Sequence, residues 1–195
     1  MATECVRIES NKVRETKTRI TDALFSLLEN ESIERITVAQ VCALAKVNRS
    51  TFYNHFADIY DVREQCEQEI AIAVETVLPR LMTSIILGRD NISVDMIESY
   101  LGPHFDQLGV LLGGGDPHFL DRIHAIGQRA LLEILHRDSF SEQQEYAFAA
   151  VAGMQLNLIR HWLQTGRSMA LPDLIDYMRK LITQGPRAVI LSHNR

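Results

Sequence analysis

The chain has 195 residues, of which 46% are hydrophobic and 23% charged, and its net charge is −5. This size allows one large domain or two small ones, and the composition is typical of a globular protein and argues against intrinsic disorder. No apolar run reaches the roughly 18 residues of a membrane span and the N-terminus has no secretory pattern, so we expect a cytoplasmic protein without membrane association.

Three helices are predicted in the first 57 residues. Apolar residues recur at helical spacing between Val13 and Leu28, which is typical of an amphipathic helix. Thr37 and Asn48 stand where N-cap residues stand, ahead of short helices at about 37–45 and 49–55. Two short helices joined by a tight turn form the helix-turn-helix, in which the second helix enters the major groove of DNA.

The remainder of the chain is predicted to be helical as well, because no run of residues alternates with the period of two that a β-strand requires. A long helix starts after Asp58 and extends to Pro79 or one turn beyond. Four further helices follow at about 92–112, 118–137, 141–165 and 171–190. We therefore expect an all-α fold of about nine helices, divided into a helix-turn-helix DNA-binding domain (1–57) and a regulatory and dimerisation domain (58–195).

The two predicted domains differ in charge. Residues 1–57 hold 8 Lys and Arg against 7 Asp and Glu, whereas residues 58–195 hold 12 against 18. This distribution would orient the N-terminal domain toward phosphate. The second short helix is also dense in hydrogen-bonding groups, and the residues that can form a small core around it are Val38, Val41, Ala45, Val47, Phe52 and Phe56.

The segment from residue 13 to residue 65 resembles the N-terminal domain of the TetR family of transcriptional regulators. The positions that carry the resemblance are Thr37, Val38, Val41, Ala45, Val47, Thr51, Phe52, Tyr53, His55, Phe56 and Val62. Two positions depart from the family pattern, because Lys46 replaces a turn glycine and Ile59 replaces a lysine.

The resemblance implies a homodimer that binds double-stranded operator DNA and represses until a small-molecule effector binds the C-terminal domain. Arg49 is the candidate for direct base reading, since a guanidinium can bond a guanine bidentately. The full set of candidate DNA contacts is Thr37, Asn48, Arg49, Ser50, Thr51, Tyr53, Asn54 and His55.

The C-terminal domain offers a candidate dimer interface and a candidate effector pocket. The candidate interface lies on the last two predicted helices, over the segments 146–162 and 174–190, which are apolar over more than one stripe. Small residues in the first segment would permit close approach of two helices; they are Ala149, Ala150, Ala152 and Gly153. The residues proposed for the pocket place polar groups among aromatic neighbours; they are Tyr100, His104, Phe105, Phe119, His124, Gln128, Asn157, His161 and Trp162.

Several alternatives remain open at the level of sequence. An activator, or a regulator gated by a partner protein, would have the same pattern. Oxidation of Cys42 or Cys66 is a further possible signal. Because Cys5, Cys42 and Cys66 have neither disulfide nor metal-site spacing, we expect no metal and no cofactor. A helical enzyme is disfavoured, since no nucleophile, base and orienting group stand in a recognisable arrangement.

Overall fold

The structure, a computed structural model, describes residues 11–87, 94–114 and 117–186. Within these ranges it contains α-helices and two 3-10 helices, Ile33–Arg35 and Gly102–His104, and no strand. The predicted all-α class is confirmed, and nine α-helices occur in the described ranges. In chain order they are α1 (Asn11–Leu28), α2 (Val38–Ala45), α3 (Arg49–Tyr53), α4 (Ile59–Leu87), α5 (Val94–Tyr100), α6 (Phe105–Gly114), α7 (Pro117–Leu135), α8 (Glu142–Gln164) and α9 (Leu171–Gln184).

The prediction of a single helix at 92–112 is wrong, because α5 and α6 are separate helices. The Leu101 N–H donates to the Ile97 carbonyl at 2.8 Å, as in an α-helix. Pro103 has no N–H to continue that series, and the next bond, from the His104 N–H to the Leu101 carbonyl at 2.9 Å, spans three residues. A 3-10 turn therefore separates the two helices. Residues 92 and 93 lie outside the described part of the chain.

Three predicted helix ends also differ from the structure. Helix α4 continues through Pro79 to Leu87, since burial of Val77 and Ile85 in the same core compensates for the hydrogen bond that a proline removes. Helix α7 ends before His136, whose φ of 52° is left-handed. Helix α9 ends at Gln184, before Gly185; the predicted continuation over residues 187–190 lies outside the described residues.

The chain divides into two compact units, the first ending at Gln68 and the second beginning at Glu69. The division lies inside α4 because Ile59 and Val62, near its start, belong to the core of the first unit. Most of the core predicted around the two short helices is confirmed: Val41, Ala45, Phe52 and Phe56 are buried, and Val38 and Val47 are partly buried against them.

The second unit is built around its own apolar core. The core joins residues of α4, α5, α8 and α9, including Val77, Ile97, Trp162 and Leu174. The Trp162 ring packs edge-on against Phe105, with ring centroids 5.3 Å apart, and its Nε1–H donates to the Met169 carbonyl at 2.7 Å. In the part of the chain that the structure describes, no helix has the length and apolarity that a membrane span requires.

Candidate nucleic-acid interface and cavity

The turn between α2 and α3 is closed by backbone hydrogen bonds. Lys46 caps α2 in the left-handed region, with φ 55° and ψ 46°, and the Val47 N–H donates to the Cys42 carbonyl at 3.0 Å. This arrangement satisfies a carbonyl that the helix end would otherwise leave unpaired. The helix-turn-helix geometry is therefore present, although the family's usual turn glycine is a lysine here.

Side-chain caps start both helices of the motif. The Thr37 N–H donates to Gln40 Oε1 at 2.8 Å, and the Gln40 N–H donates to Thr37 Oγ1 at 3.3 Å, which together form a capping box. Asn48 Oδ1 accepts from the Thr51 N–H at 2.7 Å. The N-caps predicted from sequence are confirmed, and these two side chains hold the helix starts whatever else they contact.

Polar side chains cover the outer side of α3. Arg49, Ser50, Tyr53 and Asn54 are exposed, and Thr51 and His55 are half-buried. Phe52, on the inner side, is fully buried, and the Tyr53 ring meets it edge-on at 5.4 Å between centroids. The candidate DNA-contacting residues between Asn48 and His55 therefore share one short segment anchored by a buried aromatic ring.

Two residues at the start of α4 extend this description. Ile59 is buried, so the position where the family pattern has a lysine serves the core in this chain. Tyr60 is about half exposed, at 52%, and was not among the predicted site residues. Asp58 lies two residues earlier, just before α4, and its Oδ1 accepts a hydrogen bond from the Asp61 N–H at 2.9 Å.

Cys42 and Cys66, the two cysteines in the described part of the first unit, are buried. Burial raises the pKa of the Cys42 thiol, and the positive charge of Arg49 opposes that shift. Because the thiolate is the species that reacts with oxidants, this environment disfavours oxidation at Cys42. Cys5 lies outside the described residues.

The second unit contains a cavity of about 330 Å³. Side chains of α4, α7, α8 and α9 line it, together with Phe140 in the segment that precedes α8. Of the residues predicted for an effector pocket, His124 lies in this lining, with its ring edge-on to Phe148 at 4.8 Å between centroids. The polar residues Gln144 and Gln155 also line the cavity and were missed. Gln155 interrupts an apolar i, i+4 stripe formed by Ala147, Val151 and Ile159, which is the pattern that could have indicated it.

The structure places the other predicted pocket residues elsewhere in the second unit. Phe119 and Trp162 are buried in the core, and His104 and Phe105 are half-buried. Gln128 Nε2 donates to the Glu145 carboxylate at 3.1 Å. The Asn157 amide donates to the Gly153 carbonyl at 2.9 Å. Tyr100, Asn157 and His161 are exposed.

The solved structures that are similar to this chain include two regulator proteins. A TetR transcriptional regulator from Streptococcus agalactiae 2603V is 25% identical, with a TM-score of 0.49, over 88% of this chain and 95% of the other. The fatty acid degradation regulator FadR from Bacillus halodurans is 15% identical, with a TM-score of 0.53, over 88% of this chain and 96% of the other. The chain shares the fold of FadR over most of its length. No protein-family model matches the sequence, and no curated protein is significantly similar to it.

Proposed function

We propose that this protein is a TetR-type transcriptional regulator that binds operator DNA as a homodimer through α2 and α3. The observation that carries the proposal is the capped helix-turn-helix, with Arg49, Ser50 and Tyr53 exposed on its second helix. A short helix presenting hydrogen-bonding side chains from a rigid core is the geometry that reads base edges in the major groove. The first unit is then the DNA-binding domain and the second the regulatory and dimerisation domain.

The homodimer is supported by the outer face of α8. Tyr146 is 73% exposed, and Ala149 and Ala150 are exposed on the same helix. A Cβ atom added to Gly153 would meet nothing within 4 Å among the described residues. Exposed small residues let two helices approach closely, and a two-fold dimer supplies the second recognition helix that one half-site cannot provide.

We further propose that the cavity of the second unit binds a small-molecule effector that releases the protein from DNA. Its volume of about 330 Å³ falls in the range of small-molecule sites, roughly 300–1,000 Å³. An effector shifts the equilibrium only by its difference in affinity between the DNA-competent and DNA-incompetent conformations. The buried thiol of Cys42 makes oxidation a weaker candidate for the signal.

The experiment begins with selection of bound fragments from a random DNA pool, followed by affinity measurements on the selected site. We expect two half-sites about one helical turn apart and an affinity that falls steeply with salt, since phosphate contacts release counterions. Failure to enrich any sequence, together with no salt-dependent binding, would overturn the proposal.

Arg49→Ala tests the assigned base contact. Loss of a bidentate contact to guanine lowers affinity by about tenfold or more and relaxes the preference at one position of each half-site. Arg122→Ala is the matched control, because Arg122 is an exposed arginine on α7 in the second unit and its removal should leave both affinity and preference unchanged. An unaltered sequence preference in Arg49→Ala would refute the role of this residue.

A further inference from the structure

The lining of the cavity is almost entirely apolar. It consists of aliphatic, aromatic and methionine side chains with three polar exceptions among the described residues, His124, Gln144 and Gln155. The described lining includes no Lys, Arg, Asp or Glu. Apart from the imidazole of His124, no described lining side chain could pair with the charge of a carboxylate or ammonium group, and burial of an unpaired charge is costly. The chemistry of the lining therefore favours a neutral, largely hydrocarbon occupant.

The three polar side chains differ in their contacts. Gln144 Oε1 accepts from the Ser141 N–H at 3.0 Å in the cap of α8. The His124 ring packs edge-on against Phe148. Gln155 is different: its Nε2 donates to the Met178 carbonyl over a long 3.5 Å, while its buried Oε1 has no hydrogen-bond partner among the described residues.

An unpartnered buried carbonyl oxygen is unfavourable, and a donor that reaches it recovers the lost hydrogen bond. The terminal torsion of a glutamine is broad and two-fold, so a modest rotation can turn this oxygen toward a molecule in the cavity that Gln155 lines. We propose that the cavity binds a neutral, mainly aliphatic molecule bearing one hydrogen-bond donor, and that Gln155 selects for that donor. This inference rests on the effector site of the proposed function and names its ligand class.

The test uses the full-length protein without DNA and the neutral fluorescent probe N-phenyl-1-naphthylamine. Three competitors displace the probe: decan-1-ol, its isomer 1-methoxynonane, which has no donor, and the decanoate anion. We expect the alcohol to displace the probe at about five- to tenfold lower concentration than the ether, the effect of one net hydrogen bond. Decanoate should be weaker than the alcohol by at least about tenfold, because the described lining has no Lys or Arg to pair with its charge and the carboxylate loses its hydration on entering an apolar cavity.

Gln155→Leu should make the alcohol and the ether equally effective, and Gln155→Met provides a second variant of similar shape. Gln143→Leu, the same substitution at an exposed position of α8 outside the cavity lining, should keep the preference. Ala152, predicted from sequence to lie in the dimer interface, is half-buried and lines the cavity. Ala152→Phe places a ring in this lining and should weaken binding of the probe itself by about tenfold, which would locate the probe in the cavity.

Equal displacement by alcohol and ether in the unaltered protein would overturn the inference, as would a preference that survives in both Gln155 variants. Probe binding that is unchanged in Ala152→Phe would place the probe outside the cavity and would also overturn the inference. Probe binding that depends on self-association of the protein, and not on the concentration of the probe, would indicate a second copy of the chain in the cavity and would overturn it as well. Failure of the proposed function would be seen in a different experiment, as absence of DNA binding in the selection from a random DNA pool. Sequence-specific DNA binding without the alcohol preference would leave the regulator standing and remove only this ligand class.

Discussion

Lys46 holds a backbone conformation that its side chain disfavours. Its φ of 55° and ψ of 46° place it in the left-handed region, where a residue with a Cβ loses roughly 1–2 kcal/mol. Glycine relieves this strain but gains up to about 1 kcal/mol of conformational freedom in the unfolded chain. Lys46→Gly should therefore stabilise the first unit by a net amount of roughly 0.5–1 kcal/mol, measured by urea denaturation.

Lys46→Ala is the matched control for this prediction, since it removes the same charge and keeps the Cβ atom. Lys46 is exposed, so the alanine variant should stay within about 0.5 kcal/mol of the original protein. If the glycine variant is no more stable than the alanine variant, the left-handed strain is not the controlling factor at this turn.

Residue-level predictions succeeded where the determining contacts are local in sequence. Thr37 and Asn48 cap helices through bonds to residues three positions away, and such bonds can be read from short spacings. The cavity lining could not be read in this way, because residues of four helices meet there. Gln155 became recognisable once α8 was placed against α7 and α9, whereas Trp162 and Phe119 proved to be core residues.

Helix α8 shows how one cap supports an element with few fully buried residues. Of its 23 residues, Phe148 and Trp162 are the buried ones, so local stabilisation of its start carries more weight than in a core helix. Ser141 Oγ accepts from the Gln144 N–H at 3.4 Å. Ser141→Ala should lower the free energy of unfolding of the second unit by about 1 kcal/mol, the usual cost of losing a serine cap.

The loss of stability in Ser141→Ala can be measured by urea denaturation. The fluorescence of Trp162, the single tryptophan of the chain, follows the unfolding because this residue lies in α8. Ser139→Ala is the control, since Ser139 is exposed outside the helix and should leave the midpoint unchanged. DNA affinity should be unaffected in both variants. A Ser141→Ala midpoint equal to that of the control would show that the cap contributes nothing measurable.

Element boundaries were predicted less well than the existence of the elements, and prolines account for two of the errors. Pro103 was placed inside one long helix and instead separates α5 from α6. Pro79 was expected to end α4 within a turn, yet the helix continues to Leu87. The same residue type breaks a helix or is tolerated within it depending on whether tertiary packing continues on both sides, and packing is absent from a local pattern.

At the scale of the whole molecule, the proposed binding to DNA would have to occur despite a net negative charge on the chain. The net charge is −5, and the whole of the acidic excess lies in residues 58–195, which hold 12 Lys and Arg against 18 Asp and Glu. A single copy of the proposed DNA-binding domain, with its near-balanced charge, would gain little from electrostatic attraction alone. Pairing two domains on one operator doubles the contacts made per complex, so we expect high affinity to depend on the dimer.

Ala150→Glu on the exposed face of α8 tests that dependence. In a two-fold interface a residue near the axis lies close to its own copy, so this substitution buries two like charges, which is strongly unfavourable. We expect a monomer in sedimentation at micromolar concentration, unchanged helical content, and operator affinity reduced by more than about tenfold. Ala125→Glu, at an exposed position of α7, adds the same charge elsewhere and should preserve both dimer and affinity. A dimeric Ala150→Glu variant with full operator affinity would exclude this face of α8 as the interface.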